Sequence, residues 1–139
     1  MKKPNYTQVR VTLQSGALIW PEGDFIVEQE INSSYYMEDS DAQESFESML
    51  AMAEARSSKL YLLIDMKNIK GASAGARRTL SGISPEIVKG VATLIANPVS
   101  RLLSNFILGL NKPKYPAKAF SDREQARAWL TELRAKEQA

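Results

Sequence analysis

Reactive side chains at workable spacing are scarce in this chain, and two positions stand out. Asp65 closes the apolar run KLYLLIDM, with Lys67 and Asn68 just beyond it. A carboxylate at the carboxyl end of a buried strand lies where open α/β sheets bind ligands. The same residue in a loop commonly caps local amides. No histidine, cysteine or second carboxylate is spaced to turn Asp65 into a general acid or base. The second candidate is Ser73, in Ala72-Ser73-Ala74-Gly75. A serine opening a helix sits beside free amides and the positive end of the helix dipole, a setting that suits an added phosphate. Arg77 and Arg78 follow about one turn along and would steady such a charge. The plainer role for Ser73 is an N-cap.

Composition removes most other chemistry. The 139 residues include no cysteine and no histidine. Disulfides, thiol nucleophiles and thiolate metal sites are therefore out. So are the commonest general base and the commonest zinc ligand. The carboxylates are not clustered for a hard cation, so no metal or other cofactor is expected. An enzyme is not expected either. Eighteen basic residues stand against sixteen acidic ones, a net charge of +2. A basic stripe with interleaved aromatics, the mark of a nucleic-acid binder, is missing from the sequence. The opening MKKPNYTQ has no apolar stretch behind its lysines, unlike a signal peptide. The longest charge-free run is about ten residues, Leu102 to Asn111, too short to cross a bilayer. A cytoplasmic protein without an integral membrane segment is the expectation.

One segment is unusually apolar. NPVSRLLSNFILGLN carries a single charge, Arg101. At helical spacing Val99, Leu102, Leu103, Phe106 and Leu110 form one stripe, which predicts the core-facing side. Ile107 and Leu108 fall off that stripe, and Ser100, Arg101, Ser104 and Asn105 complete the outer face. Burying an aliphatic side chain gains about 1.5–3 kcal/mol, so something is expected to cover Ile107 and Leu108. The surface made by Arg101, Leu102, Leu103, Phe106, Ile107 and Leu108 is therefore expected to take a nonpolar small molecule, a partner protein or a second copy of the chain. The following KPKYP holds a Pro-x-x-Pro pattern, more simply a rigid connection than a ligand for proline-reading modules.

The elements that must position these residues follow from periodicity. Tyr6–Leu13 alternates Val9, Val11 and Leu13 on one face; SGALIW and FIVEQEI follow as strands, the latter with Phe25, Val27, Gln29 and Ile31 together. From Asp39 the period becomes helical, with Ala42, Phe46, Met49, Leu50 and Ala53 as the stripe and Asp39 to Asp41 as N-cap candidates; Asp41 with Glu44 resembles a capping pair. KLYLLIDM and GVATLIAN read as strands buried on both faces. A short helix is predicted over about Ala74–Leu80, another opening at Pro98, a strand at AKAF, and a last helix capped by Ser121 and Glu124. Ala126, Trp129, Leu130 and Leu133 form its buried stripe. Strands alternating with helices predict a mostly parallel sheet, extended by an antiparallel N-terminal edge and covered by about four helices, in one domain over 1–139 with an ordered core of about 5–135.

Two stretches, LYLLIDMKNIKGASAGARRTL and VATLIANPVSRLLSNFILGLNKPKYPAKAFSDREQARAWL, resemble the STAS/SpoIIAA-like superfamily, and within it a bacterial STAS/SEC14-like branch. The resemblance implies a SpoIIAA-like α/β fold. In the sporulation branch an Asp-Ser-Ser-Gly motif carries a phosphorylated serine read by an anti-sigma kinase. The matching stretch has Ser73 and Gly75, but Ala72 where the family has its acidic residue. The other branch implies a nonpolar cavity. A non-enzymatic binding domain is thus the first expectation, and a phospho-regulated anti-anti-sigma switch at Ser73 the alternative.

Overall fold

The computed structural model describes residues 9–108 and 115–138. Three short strands open the chain: β1 (Arg10–Leu13), β2 (Gly16–Ile19) and β3 (Ile26–Ile31). They pair antiparallel, and Gly16 lets β2 lie close against β3, since a Cβ there would lie 2.0 Å from the Glu30 carbonyl oxygen. Next come β4 (Tyr35–Met37) and helix α1 (Asp39–Arg56), and then the buried strand β5 (Leu60–Asp65). Strand β6 (Ile69–Ala72), helix α2 (Ala74–Ser81), strand β7 (Val88–Leu94) and helix α3 (Pro98–Leu108) follow. Strand β8 (Ala117–Phe120) and helix α4 (Arg123–Gln138) end the described chain.

Six strands form the central sheet in the order β1-β2-β3-β5-β7-β8, antiparallel over β1–β3 and parallel from β3 to β8. The fold class and the four helices match the sequence expectation. The ribbon of β4 with β6 is new: two short parallel strands beside the main sheet, in stretches to which the sequence assigns no element.

Helices α1, α2 and α3 lie on one face of the sheet over Val27, Leu62, Ile64 and Val91. Helix α4 covers the other face, where Ala126 and Leu130 meet Ile26, Leu63, Ala92 and Leu94. Trp129 and Leu133 pack at its border, as their spacing predicts. Gly90 lets α4 settle close, because a Cβ there would meet the Leu133 side chain at 2.5 Å. Asp122 caps α4 rather than Ser121, its carboxylate accepting from the Glu124 amide at 3.1 Å. Arg127 then ties α4 to β3 and the loop before it, reaching Asp24 and Glu28 at 2.6 Å each, and Arg123 adds a second grip on Glu28.

Two helices are rotated from the sequence expectation. On α1 the buried side is Asp41, Ala42, Ser45, Ser48, Met49, Met52 and Ala53, while Leu50 is exposed. Its capping pair is Glu38 with Asp41, the Asp41 carboxylate accepting from the Glu38 amide at 2.8 Å. On α3 the buried side is Ser100, Leu103, Ser104 and Ile107. The physical reason is common to both. Each helix turns small serines inward, where the hydroxyls of Ser45, Ser100 and Ser104 find partners in the chain.

Candidate functional site

The structure splits the apolar residues of α3 that the sequence groups together. Leu103 and Ile107 belong to the core, so Ile107 is not a surface residue awaiting a cover. Leu102 and Val99, assigned to the core-facing stripe, are 56% and 40% exposed. Phe106 and Leu108 are half-buried and Arg101 is exposed. Leu110 and Pro113 of the Pro-x-x-Pro pattern lie outside the described residues. Ser100 and Ser104, read as outward, are fully buried. The Ser104 hydroxyl lies 2.6 Å from the Thr93 hydroxyl, and Ser100 Oγ accepts from the amides of Ala96 and Asn97. What remains outside on α3 is a small apolar patch of Val99 and Leu102 beside Arg101.

Asp65 does what a loop-capping carboxylate does. Its Oδ1 accepts from the Lys67 amide at 3.1 Å. Asn97 donates to the Lys67 carbonyl at 3.2 Å, joining that loop to the start of α3.

Ser73 is the N-cap of α2, its Oγ accepting from the Ala76 amide at 3.1 Å. Its hydroxyl also donates to the Asp39 carboxylate, from the first turn of α1. Gly75 makes room for that carboxylate, since a Cβ there would strike it at 2.2 Å. Ala72 replaces the acidic neighbour in sequence, yet a carboxylate reaches the serine from another element. Arg77 turns elsewhere, its guanidinium 5.5 Å from the centre of the Phe106 ring. Arg78 is exposed in a separate depression with Gln43, Phe46, Thr79 and Gly82.

That depression leads to a feature the sequence analysis does not single out. Between α1 and α2, the side chains of Met37, Ala42, Phe46, Met49, Leu80 and Ile83 line an apolar cleft with Gln29, Ser45 and Thr79 as its polar members. The cleft is almost closed, with a free volume of about 10 Å³, the lower limit for a single water. Phe46 and Thr79 belong to both cleft and outer depression. Gln29 is 1% exposed. Its Nε2 donates to Ser45 Oγ at 3.1 Å, and Ser45 Oγ donates in turn to the Asp41 carbonyl at 3.0 Å. Its Oε1 is buried without any hydrogen-bond partner. A buried unpaired acceptor costs about 1–3 kcal/mol, so native folds seldom keep one without a use. The sequence signal was the polar Gln29 on the apolar face of FIVEQEI.

Other absences are local. Among the described residues no group of three or more acidic residues could hold a metal ion. Among them, too, no helix is long and apolar enough to cross a membrane.

The fold has a solved counterpart. It is similar to the crystal structure of an uncharacterized protein of the DUF3478 family, with a SpoIIAA-like fold, from Shewanella loihica PV-4. The two share 20% sequence identity and a TM-score of 0.56, over 81% of this chain and 90% of that one. At that identity the likeness shows the SpoIIAA-like fold expected from the sequence. No curated protein matches the chain. The model of a domain of unknown function, DUF7793, matches residues 19–134, and the chain belongs to that family.

Proposed function

We propose that this domain is a non-enzymatic binder of a nonpolar small molecule carrying one hydrogen-bond donor, held in the cleft between α1 and α2. The observation that carries the reading is Gln29 Oε1, a buried acceptor without a partner among apolar walls. A ligand N–H or O–H would satisfy it, and the apolar remainder would lie against Met37, Met49, Leu80 and Ile83. Methionines suit such a wall because their unbranched side chains re-pack around irregular shapes. For a molecule larger than water to enter, Met49 and Phe46 would have to move aside. The site therefore lies on α1 and α2, not on the α3 surface that the sequence favours.

A second reading keeps α3: Val99 and Leu102 on its outer side support a partner protein or a homodimer. The patch is small, so it ranks second. The phospho-switch at Ser73 ranks third. The Asp39 carboxylate already occupies the neighbourhood where a phosphate would sit, and it would repel one.

The test is a titration with N-phenylnaphthylamine, an apolar fluorophore with a single N–H donor. Saturable one-site enhancement of its fluorescence is expected, lost in Thr79→Trp, which blocks the mouth of the cleft from a half-buried position. Absence of saturable binding to the wild-type protein contradicts the proposal.

A further inference from the structure

On the α4 side of the sheet, where β5 and β7 begin and α4 ends, lies a second cavity of about 230 Å³. Aromatic rings form part of its wall: Trp20, Phe25 and Tyr61. Phe25 meets Tyr61 edge-on, ring centres 5.5 Å apart. Three cations surround it, Lys59, Lys89 and Arg134, and one carboxylate, Glu137. Arg134 lies over the Phe25 ring, 4.5 Å from its centre. Among the described residues neither Lys59 nor Arg134 forms a salt bridge.

Glu137 is the revealing group. It stands in the last turn of α4, where the helix dipole disfavours an anion. It is nevertheless held there on both oxygens: Tyr61 donates to Oε2 at 2.6 Å, and Lys89 sits 2.9 Å from Oε1. The Tyr61 hydroxyl, and after it Lys89, also hold its carboxyl below the usual carboxylate range. The charge count around the cavity is three cations against one carboxylate, an excess of two positive charges. The walls thus combine π faces and edges with a bidentate seat for a carboxylate.

We infer that this cavity binds a small planar aromatic carboxylate, and that the Glu137 side chain occupies the carboxylate seat in its absence. The ring of the ligand would lie among Phe25, Tyr61 and Trp20. Its carboxylate would take the Tyr61 hydroxyl and Lys89, with Arg134 and Lys59 completing the charge. Glu137, exposed and near the helix end, swings out to solvent. The inference is independent of the cleft over Gln29, which lies on the other face of the sheet.

The experiment is isothermal titration calorimetry with indoleacetate. Removing the internal competitor in Glu137→Gln is expected to tighten binding about tenfold or more. Lys89→Gln and Arg134→Gln, each at an exposed or half-exposed position, are expected to weaken it by a similar factor, and thermal melts confirm that every variant is folded. Skatole, which lacks the carboxylate, is expected not to bind. If Glu137→Gln shows no saturable indoleacetate binding, the site is overturned. If inorganic phosphate or skatole binds Glu137→Gln as tightly as indoleacetate does, the assignment to aromatic carboxylates is overturned.

Discussion

Thr93 of β7 and Ser104 of α3 face each other with hydroxyl oxygens 2.6 Å apart, both fully buried. The pair fixes the rotation of α3 about its axis, because turning Ser104 outward would strand Thr93 in an apolar layer. Removing one partner leaves a buried hydroxyl unpaired, which costs about 1–3 kcal/mol, whereas removing both is close to neutral. Ser104→Ala alone should lower the unfolding free energy by that amount. The double variant Thr93→Val with Ser104→Ala should recover most of it in denaturant titrations.

The same rotation sets opposite outcomes for two apolar residues five positions apart on α3. Ile107→Ser opens the core and places a hydroxyl in it, so a loss of about 2–5 kcal/mol is expected. Leu102→Ser removes an exposed side chain and should change stability by about 0.5 kcal/mol or less. A larger loss for Leu102→Ser than for Ile107→Ser would mean that α3 docks on the face the sequence suggests.

At the start of α2, Ser73→Ala should cost about 0.5–2 kcal/mol for the lost cap. Aspartate caps helices as well as serine in general, but here it would point a carboxylate at Asp39. Ser73→Asp should therefore melt below Ser73→Asn, and Asp39→Asn should restore it. Thermal melts of these four proteins decide the matter.

Alkaline pH probes the packed tyrosines. Burial pushes Tyr61 up to about 12, helped by its hydrogen bond to Glu137, and burial alone pushes Tyr115 up to about 12. A folded-state value above the unfolded one stabilises the protein fully below pH ~10, and that contribution is lost as pH rises towards ~12. At pH ~11 the folded protein should show less tyrosinate absorbance than the same chain in denaturant. Its melting temperature should fall across that interval.

Much of the architecture was legible in sequence order. Continuous apolar runs such as LYLLI mark strands covered on both faces, and the Pro98, Ser73 and Asp41 signals mark helix starts. Helix rotation was not legible, because Ser45, Ser48, Ser100 and Ser104 count as polar although small hydroxyls pack well against a sheet that offers Gln29 and Thr93. The β4–β6 ribbon was hidden by its length, three and four residues, too few to show a period. The Asp39–Ser73 contact joins residues 34 apart, which spacing cannot reveal. Gln29 was visible on its strand face, but its meaning depends on the unpaired oxygen that only the packing of α1 and α2 creates.

The most direct test of the cleft over Gln29 compares N-phenylnaphthylamine titrations of wild type, Gln29→Leu and the double variant Val99→Ser with Leu102→Ser. Leucine fills similar volume and removes the unpaired acceptor, so Gln29→Leu should be at least as stable as wild type while binding the probe several-fold more weakly. The α3 double variant should bind as wild type does. Undiminished binding by Gln29→Leu, or loss of binding in the α3 variant alone, would contradict the assignment of the ligand to the space between α1 and α2.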